Sequence, residues 1–322
     1  MPIVNSEFKP AWWLNNAHLQ TLWSTFFKNR PDLQLHKERL ELIDGDFIDI
    51  SSTTDLHQKP IVLILHGLEG TLESHYAKPL IKLLEDNGYG VCFMHFRGCS
   101  GEINRLKRSY HSGDSADLQA VIDFIKTRYQ QAPFAVIGFS LGGNLLLKWL
   151  GEQHSEANTT TAIAVSVPFK LKDAAERLEK SFSRVYQNHL MSSCKNKYQQ
   201  KDNLFNIGLV EDIKSVNTFF DFDNKITAPL HGFSNAEDYY AKSSSHQFLN
   251  KIEKPTLILH AEDDPFMWRT TPPQEKDISK NVTVELSKSG GHVGFVSGRY
   301  PWAARYWADQ RILQWLKSQS KT

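Results

Sequence analysis

The run "FAVIGFSLGGNLLLKWL", residues 134–150, constrains the fold of this 322-residue chain more than any other stretch. A β-branched, aromatic segment passes straight into a leucine-rich helical one, with Gly138-Phe139-Ser140-Leu141-Gly142 at the junction. Glycines two positions either side of the serine let the backbone double back sharply, because neither carries a Cβ that would collide where strand and helix close together. The serine is left on a strained turn with its oxygen exposed, which is what a nucleophile at a sheet edge needs. A bare G-x-S-x-G recurs by chance; its position between strand-like and helix-like segments is what gives it meaning.

Other short apolar runs supply the sheet. "IVLILHG", "GVCFMHF", "TAIAVSVP", "TLILHAEDD" and "VTVELSKSGG" read as buried strands, and "RLELIDGDFIDIS" as a hairpin about Asp44-Gly45. Between them lie "HYAKPLIKLLEDNG", a helix stopped at Gly88, and "SADLQAVIDFIKTRY", a helix capped by Ser115. This alternation predicts an α/β fold with a mostly parallel central sheet flanked by helices. After "SVPF" about eighty residues pass before the next strand, too long for a simple crossover. Residues 170–250 are therefore expected to form a helical cap inserted after the sixth strand, over a core made of residues 1–169 and 251–322. The later part of that segment, "FFDFDNKITAPLHGFSNAEDYY", is rich in aromatic residues and suggests an apolar pocket.

A serine needs a base to take its proton, and the base needs an orienting acid. With a strand–elbow–helix nucleophile both follow it in chain order, on loops after later strands. His292, on the glycine-rich "SKSGGHVGF" loop, is the expected base. The acid comes from "AEDDPF", where Asp263 and Asp264 stand side by side. Adjacent residues on an extended chain point in opposite directions, so only one can face His292. Pro265 holds the residue before it near the extended region, which favours Asp264, with Asp263 as a loop or cap ligand. His66-Gly67 closes the first long buried strand, so the backbone N–H groups of Leu68 and Leu141 are the candidate oxyanion donors.

The chain has 37 basic and 36 acidic residues, a net charge of +1. No global field argues for nucleic acid or an anionic membrane, and a small-molecule partner is expected. Cys92, Cys99 and Cys194 lack metal-type spacing or a disulfide framework, which fits a reducing compartment, and a cytoplasmic location is expected. No signal-peptide pattern and no membrane-length apolar run is present, so no stable membrane insertion is expected. "NNAHLQTLWSTFFK" places Leu19, Leu22, Trp23, Phe26 and Phe27 on one helical stripe behind Asn caps. Its polar face lacks a basic cluster, so the stripe is expected to pack on the protein's own core or cap. "HAEDD" gathers His260 with three acids, but without the spacing of a known metal motif, and no metal is expected. Oligomeric state leaves no mark on the sequence.

Beyond the elbow, "AWWLNNAHLQTL", "HGLEG", "FRGCSGEINRLKRSYHSG", "FSLGGN", "FDNKITAPLHGFSNAEDYY", "AEDDPF" and "GGHVGF" run through almost the full chain. On these motifs the chain resembles the α/β-hydrolase superfamily, and within it the YheT-like esterase branch, the AB hydrolase 4 family. Elbow and oxyanion loop are common to many hydrolases; "FRGCSGE" and "TAPLHGF" point to the branch. Glu262, before the paired aspartates, is a small departure. The resemblance implies a serine carboxylesterase acting on short- to medium-chain acyl esters through an acyl-enzyme, with no cofactor. Hydrolases of this fold often place the acid three residues after a small residue that closes the strand, and Ala261 in that position again selects Asp264. Thioesterase, acyltransferase and peptidase chemistry would use the same triad. A non-catalytic binding protein of this fold would be expected to have a broken triad, whereas all three positions are filled here.

Overall fold

A computed structural model describes residues 2–320. Its centre is a nine-stranded sheet made of β1 (Ile3–Asn5), β2 (His36–Glu41), β3 (Phe47–Ser52), β4 (Ile61–Leu65), β5 (Gly90–Met94), β6 (Ala135–Phe139), β7 (Thr161–Val165), β8 (Thr256–Ala261) and β9 (Val282–Ser287). The strand order is β1-β9-β8-β7-β6-β4-β5-β3-β2. β2 and β3 form the antiparallel hairpin about Asp44-Gly45, β3 runs antiparallel to β5, and every other pairing is parallel. Strands β4 to β8 are buried throughout, which is why they read as continuous apolar runs. The chain leaves β4 for β5 on one side and then returns to place β6 on the other. The sheet therefore has its switch point between β4 and β6, where ligands of open α/β sheets bind beyond the carboxyl ends of the strands.

Helices α1 (Ala17–Phe27), α2 (Ala77–Asp86), α3 (Ser115–Tyr129) and α4 (Leu141–Gln153) precede the long segment between β7 and β8. That segment holds α5 (Leu171–Leu178), α6 (Ser183–Phe205), α7 (Phe219–Phe222), α8 (Ala228–Leu230) and α9 (Ala236–Ser243). A short hairpin of β10 (Val296–Ser297) and β11 (Arg305–Tyr306) and helix α10 (Trp307–Gln319) complete the order. Side chains of α3 and α4 fill the core on one face of the sheet, those of α2 and α10 on the other. The segment between β7 and β8 has its own apolar cluster, including Leu171, Leu178, Tyr186, Phe219, Tyr239 and Tyr240, against which Leu68 and Phe266 pack.

Three features differ from the sequence expectation. β1 extends the sheet beyond β9, so the helical segment follows seven strands rather than six; three residues are too few to show a period. Asp114, not Ser115, is the residue flanking α3, and Ser115 instead accepts a hydrogen bond from Lys148 Nζ at 3.2 Å. Helix α1 is turned over. Gln20, Thr21 and Ser24 face inward, while Leu19, Phe26 and Phe27 are exposed; only Leu22 and Trp23 of the stripe pack as expected, half-buried against the cluster between β7 and β8 and against Ala11, Leu14 and Val296. The cause lies in the segment after β9, whose backbone groups at Gly294 and on the side of Val296 turned from β11 are met by side chains of α1. Gln20 donates to the carbonyls of Leu14 and Val296 and accepts from the Val296 N–H, while Ser24 donates to the Gly294 carbonyl.

Candidate active site

The turn after β6 puts Ser140 at φ 51° and ψ −117°, a conformation that costs free energy for any residue with a Cβ. Its neighbours show why the turn needs glycine. A Cβ on Gly138 would strike the Gly142 carbonyl, and one on Gly142 would lie 2.5 Å from the His66 oxygen and 2.7 Å from that of Leu65. The Ser140 N–H is held by the Val165 carbonyl at 2.8 Å, so the elbow is pinned to β7 as well as to its own strand.

Ser140 Oγ lies 3.1 Å from His292 Nε2, and His292 Nδ1 lies 2.8 Å from Asp264 Oδ2. Asp264 is buried, and its other oxygen accepts the Phe266 N–H at 2.8 Å, closing a tight turn that aims the carboxylate. Asp263 faces elsewhere: its Oδ1 accepts the Gly291 N–H at 3.0 Å and so steadies the loop that carries His292, and burial raises its pKa. Of the two adjacent acids, the structure brings Asp264 to the imidazole.

Three further contacts fix His292. Its ring stacks on Phe266 with centroids 3.9 Å apart and planes 3° from parallel. Its backbone N–H donates to Thr21 Oγ1 of α1 at 2.9 Å, and the next N–H, that of Val293, donates to Ser166 Oγ at 3.0 Å. Val293 and Ser166 have φ of 55° and 53°, so backbone strain gathers round the site, as it does where a structure over-determines a working geometry.

The turn after β4 faces the same point. The N–H groups of Leu68 and Leu141 have no acceptor among the described residues, and both residues line a cavity together with Ser140. Gly67 lets the turn come close, since a Cβ there would sit 3.3 Å from that of Ser140. The turn is locked from below and from the side. His66 Nδ1 donates to the Gly67 carbonyl at 2.7 Å while Nε2 accepts the Phe96 N–H at 3.1 Å, and burial holds its pKa down to about 3. The Gly67 N–H donates to Tyr76 Oη at 2.8 Å. Glu69, at φ 52°, donates its N–H to Tyr110 Oη and accepts hydrogen bonds from the Tyr110 hydroxyl at 2.7 Å and from Lys197 Nζ at 2.8 Å. Lys197 belongs to α6, so an ion pair ties the turn after β4 to the helical segment above it. Burial alone would pull the Lys197 pKa down, but Cys99 and Glu69 beside it raise it.

Away from Ser140 the cavity is walled by α5 to α9 and the loop after β8, with Leu178, Phe219, Phe222, Ile226, Phe266 and Met267 among its apolar lining. Asp223 also lines it, hydrogen-bonded by Thr227 and Tyr240 hydroxyls at 2.7 and 2.8 Å, with burial raising its pKa to about 6. His260 is buried beneath the site with its pKa held down to about 4 by burial, and among the described residues no group of three or more His, Cys, Asp or Glu could hold a metal ion.

Thr21, Ser166, Phe266 and Lys197 were not legible as site residues. Thr21 sits on a helix whose apolar pattern points the other way, and Ser166 and Lys197 stand in runs with no chemical motif. Phe266 had a signal, its place two residues after Asp264 in "DDPF".

A serine on a strained strand-to-helix turn at the switch point of a parallel sheet, with His and Asp on later strand-end loops, defines a hydrolase-fold protein. Residues 60–298 match the family model described as alpha/beta hydrolase fold, and the chain belongs to that family. It is 39% identical over 321 residues to "Putative esterase YheT" of Escherichia coli, spanning 97% of this chain and 93% of that one. It is 29% identical over 316 residues to Phospholipase ABHD3 of Mus musculus, spanning 95% of this chain and 77% of that one. Among solved structures, the Pyrococcus furiosus esterase Pf2001 superposes with a TM-score of 0.57 at 17% identity over 90% of this chain and 92% of that one, a likeness of fold.

Proposed function

We propose that this chain is a serine carboxylesterase that cleaves short- to medium-chain acyl esters through an acyl-enzyme on Ser140. That it is an enzyme hydrolysing ester bonds follows from its family and its relatives. The observation that carries the finer reading is the unbroken line from Ser140 Oγ through His292 to Asp264, with contacts of 3.1 and 2.8 Å. His292 Nε2 accepts the Ser140 proton as Oγ attacks the ester carbonyl, and the carbonyl oxygen gains charge facing the Leu68 and Leu141 N–H groups. The imidazolium, steadied by Asp264, then gives its proton to the departing alcohol. Water then attacks the acyl carbon as His292 takes its proton, and the imidazolium returns that proton to Ser140 Oγ as the acyl–Oγ bond breaks and the carboxylic acid leaves. In this reading residues 170–250 act as the cap, and the apolar wall they build takes the acyl chain.

Initial rates on p-nitrophenyl esters of increasing acyl length test this. A maximum at short to medium length is expected, with Ser140→Ala reduced about 10⁴-fold or more. Equal rates across all lengths, or activity that survives Ser140→Ala, would contradict it.

A further inference from the structure

The inverted helix α1 leaves large apolar side chains exposed that pack on no cluster among the described residues. Phe26 and Phe27 are 71% and 64% exposed, Trp12 is 72% and Trp302 84%. These rings come from two segments that meet, α1 with the residues before it and the β10–β11 loop. Phe27 stacks on Trp23 at 4.3 Å and Trp23 packs on Trp13 at 4.6 Å. Trp13 and Trp12 donate to the carbonyls of Gly298 and Arg299, and Trp302 stacks on Tyr300 at 5.0 Å in the β10–β11 loop. Isolated exposed hydrophobes need no explanation, but a contiguous aromatic face marks something that covers it.

Charge says what covers it. Residues 9–30 and 288–308, the two segments that build this face, contain no Asp or Glu but carry Lys9, Lys28, Arg30, Lys288, Arg299 and Arg305. Lys28 is buried against Asp309 at 2.6 Å. Lys9, Arg30, Arg299 and Arg305 are exposed and have no carboxylate partner among the described residues. The near-neutral total charge therefore conceals a one-sided basic face. A second copy docked by a two-fold axis would set these cations against themselves, which disfavours self-association. Exposed Trp, Tyr and Phe ringed by Arg and Lys is instead the composition of a surface that rests in lipid headgroups, with rings at the acyl boundary and cations at the phosphates.

We propose that this face docks the protein on an anionic lipid surface, peripherally and without a spanning helix. None of the described helices is long and apolar enough to cross a membrane. The placement has a use. The opposite face of α1 holds the His292 N–H through Thr21, so the docked surface lies one helix width, about 10 Å, from the site. If the esterase reading holds, acyl esters dissolved in lipid reach the cavity without crossing bulk water; the docking itself does not depend on that reading.

Co-sedimentation of the full chain with vesicles of phosphatidylcholine, and with vesicles containing about one-third phosphatidylglycerol, tests the proposal. Binding to the anionic vesicles at low salt is expected, with about tenfold weaker binding to the neutral ones. The triple variant Trp12→Ser, Phe26→Ser, Trp302→Ser and the double variant Arg299→Gln, Arg305→Gln should each lose about tenfold in binding. Both should keep the wild-type melting temperature and the wild-type rate on a water-soluble ester, because all five side chains are exposed. Absence of binding to anionic vesicles at low salt would overturn the proposal, as would unchanged binding of the triple variant. So would a lipid-free dimer in sedimentation velocity that the triple variant abolishes, since the face would then belong to a second copy.

Discussion

Asp263 and Asp264 show how one peptide unit divides two roles. They are the same chemical group, both largely withdrawn from water, yet their side chains leave the chain in different directions and meet different partners. Asp264→Asn would leave the shape intact but favour the wrong imidazole tautomer, and a fall in kcat of about 10⁴-fold is expected. Asp263→Asn, which keeps an acceptor for the Gly291 N–H, should cost less than about tenfold. Steady-state rates on one ester compare the two; equal losses would mean that the pair works jointly. At this scale the sequence was informative about which acid faces His292, but not through the pleat: β8 ends at Ala261, and the turn closed by the Asp264 N–H on the Ala261 carbonyl sets the two directions. The contacts that hold His292 were not legible, since Thr21 is 271 positions away and Phe266 acts through ring geometry.

Among the elements, α6 reaches furthest beyond its own packing. Its Lys197 grips Glu69, the residue after a proposed oxyanion donor, and Glu69 holds a left-handed φ that this grip and Tyr110 sustain. Lys197→Met should therefore let the Leu68 N–H drift. Loss of one donor outright costs about 10² to 10³ in rate, so a displaced one should lower kcat about tenfold, with KM little changed and with Lys197→Arg recovering part of the loss. A purely structural role would instead lower the melting temperature and leave kcat per folded molecule unaltered. Helix α1 teaches the converse lesson. Its apolar stripe argued for burial of that face, because a periodic pattern weighs each residue against solvent alone. The backbone of the 290–296 loop demanded polar partners, and that need set the helix's orientation.

Over the whole molecule, the order and type of the main strands and helices were legible because each buried strand is a continuous apolar run with a clear stop. The position of β1 was not, nor was the one-sided charge, which exists only once residues 9–30 meet residues 288–308. Burial on this scale also couples folding to protons. His66, His95 and His260 are buried, and desolvation lowers their pKa values to about 3, about 4 and about 4. The folded values lie below the ordinary value of about 6.5, so as pH falls through that point the unfolded chain takes up protons that the folded chain refuses. Stability is then full above about pH 6.5 and declines towards about pH 4, by up to about 1.4 kcal/mol per pH unit for each histidine. Urea midpoints at about pH 7.5 and about pH 5.5 should show the fall, and a flat profile would mean that these rings accept protons in place.

The proposed acyl-enzyme is tested most directly by treating the folded protein with a fluorophosphonate and mapping the product by peptide mass spectrometry. A single adduct is expected, on Ser140, with none on Ser140→Ala and slower formation on His292→Ala. A folded, ester-hydrolysing protein whose Ser140 stays unmodified would contradict the account.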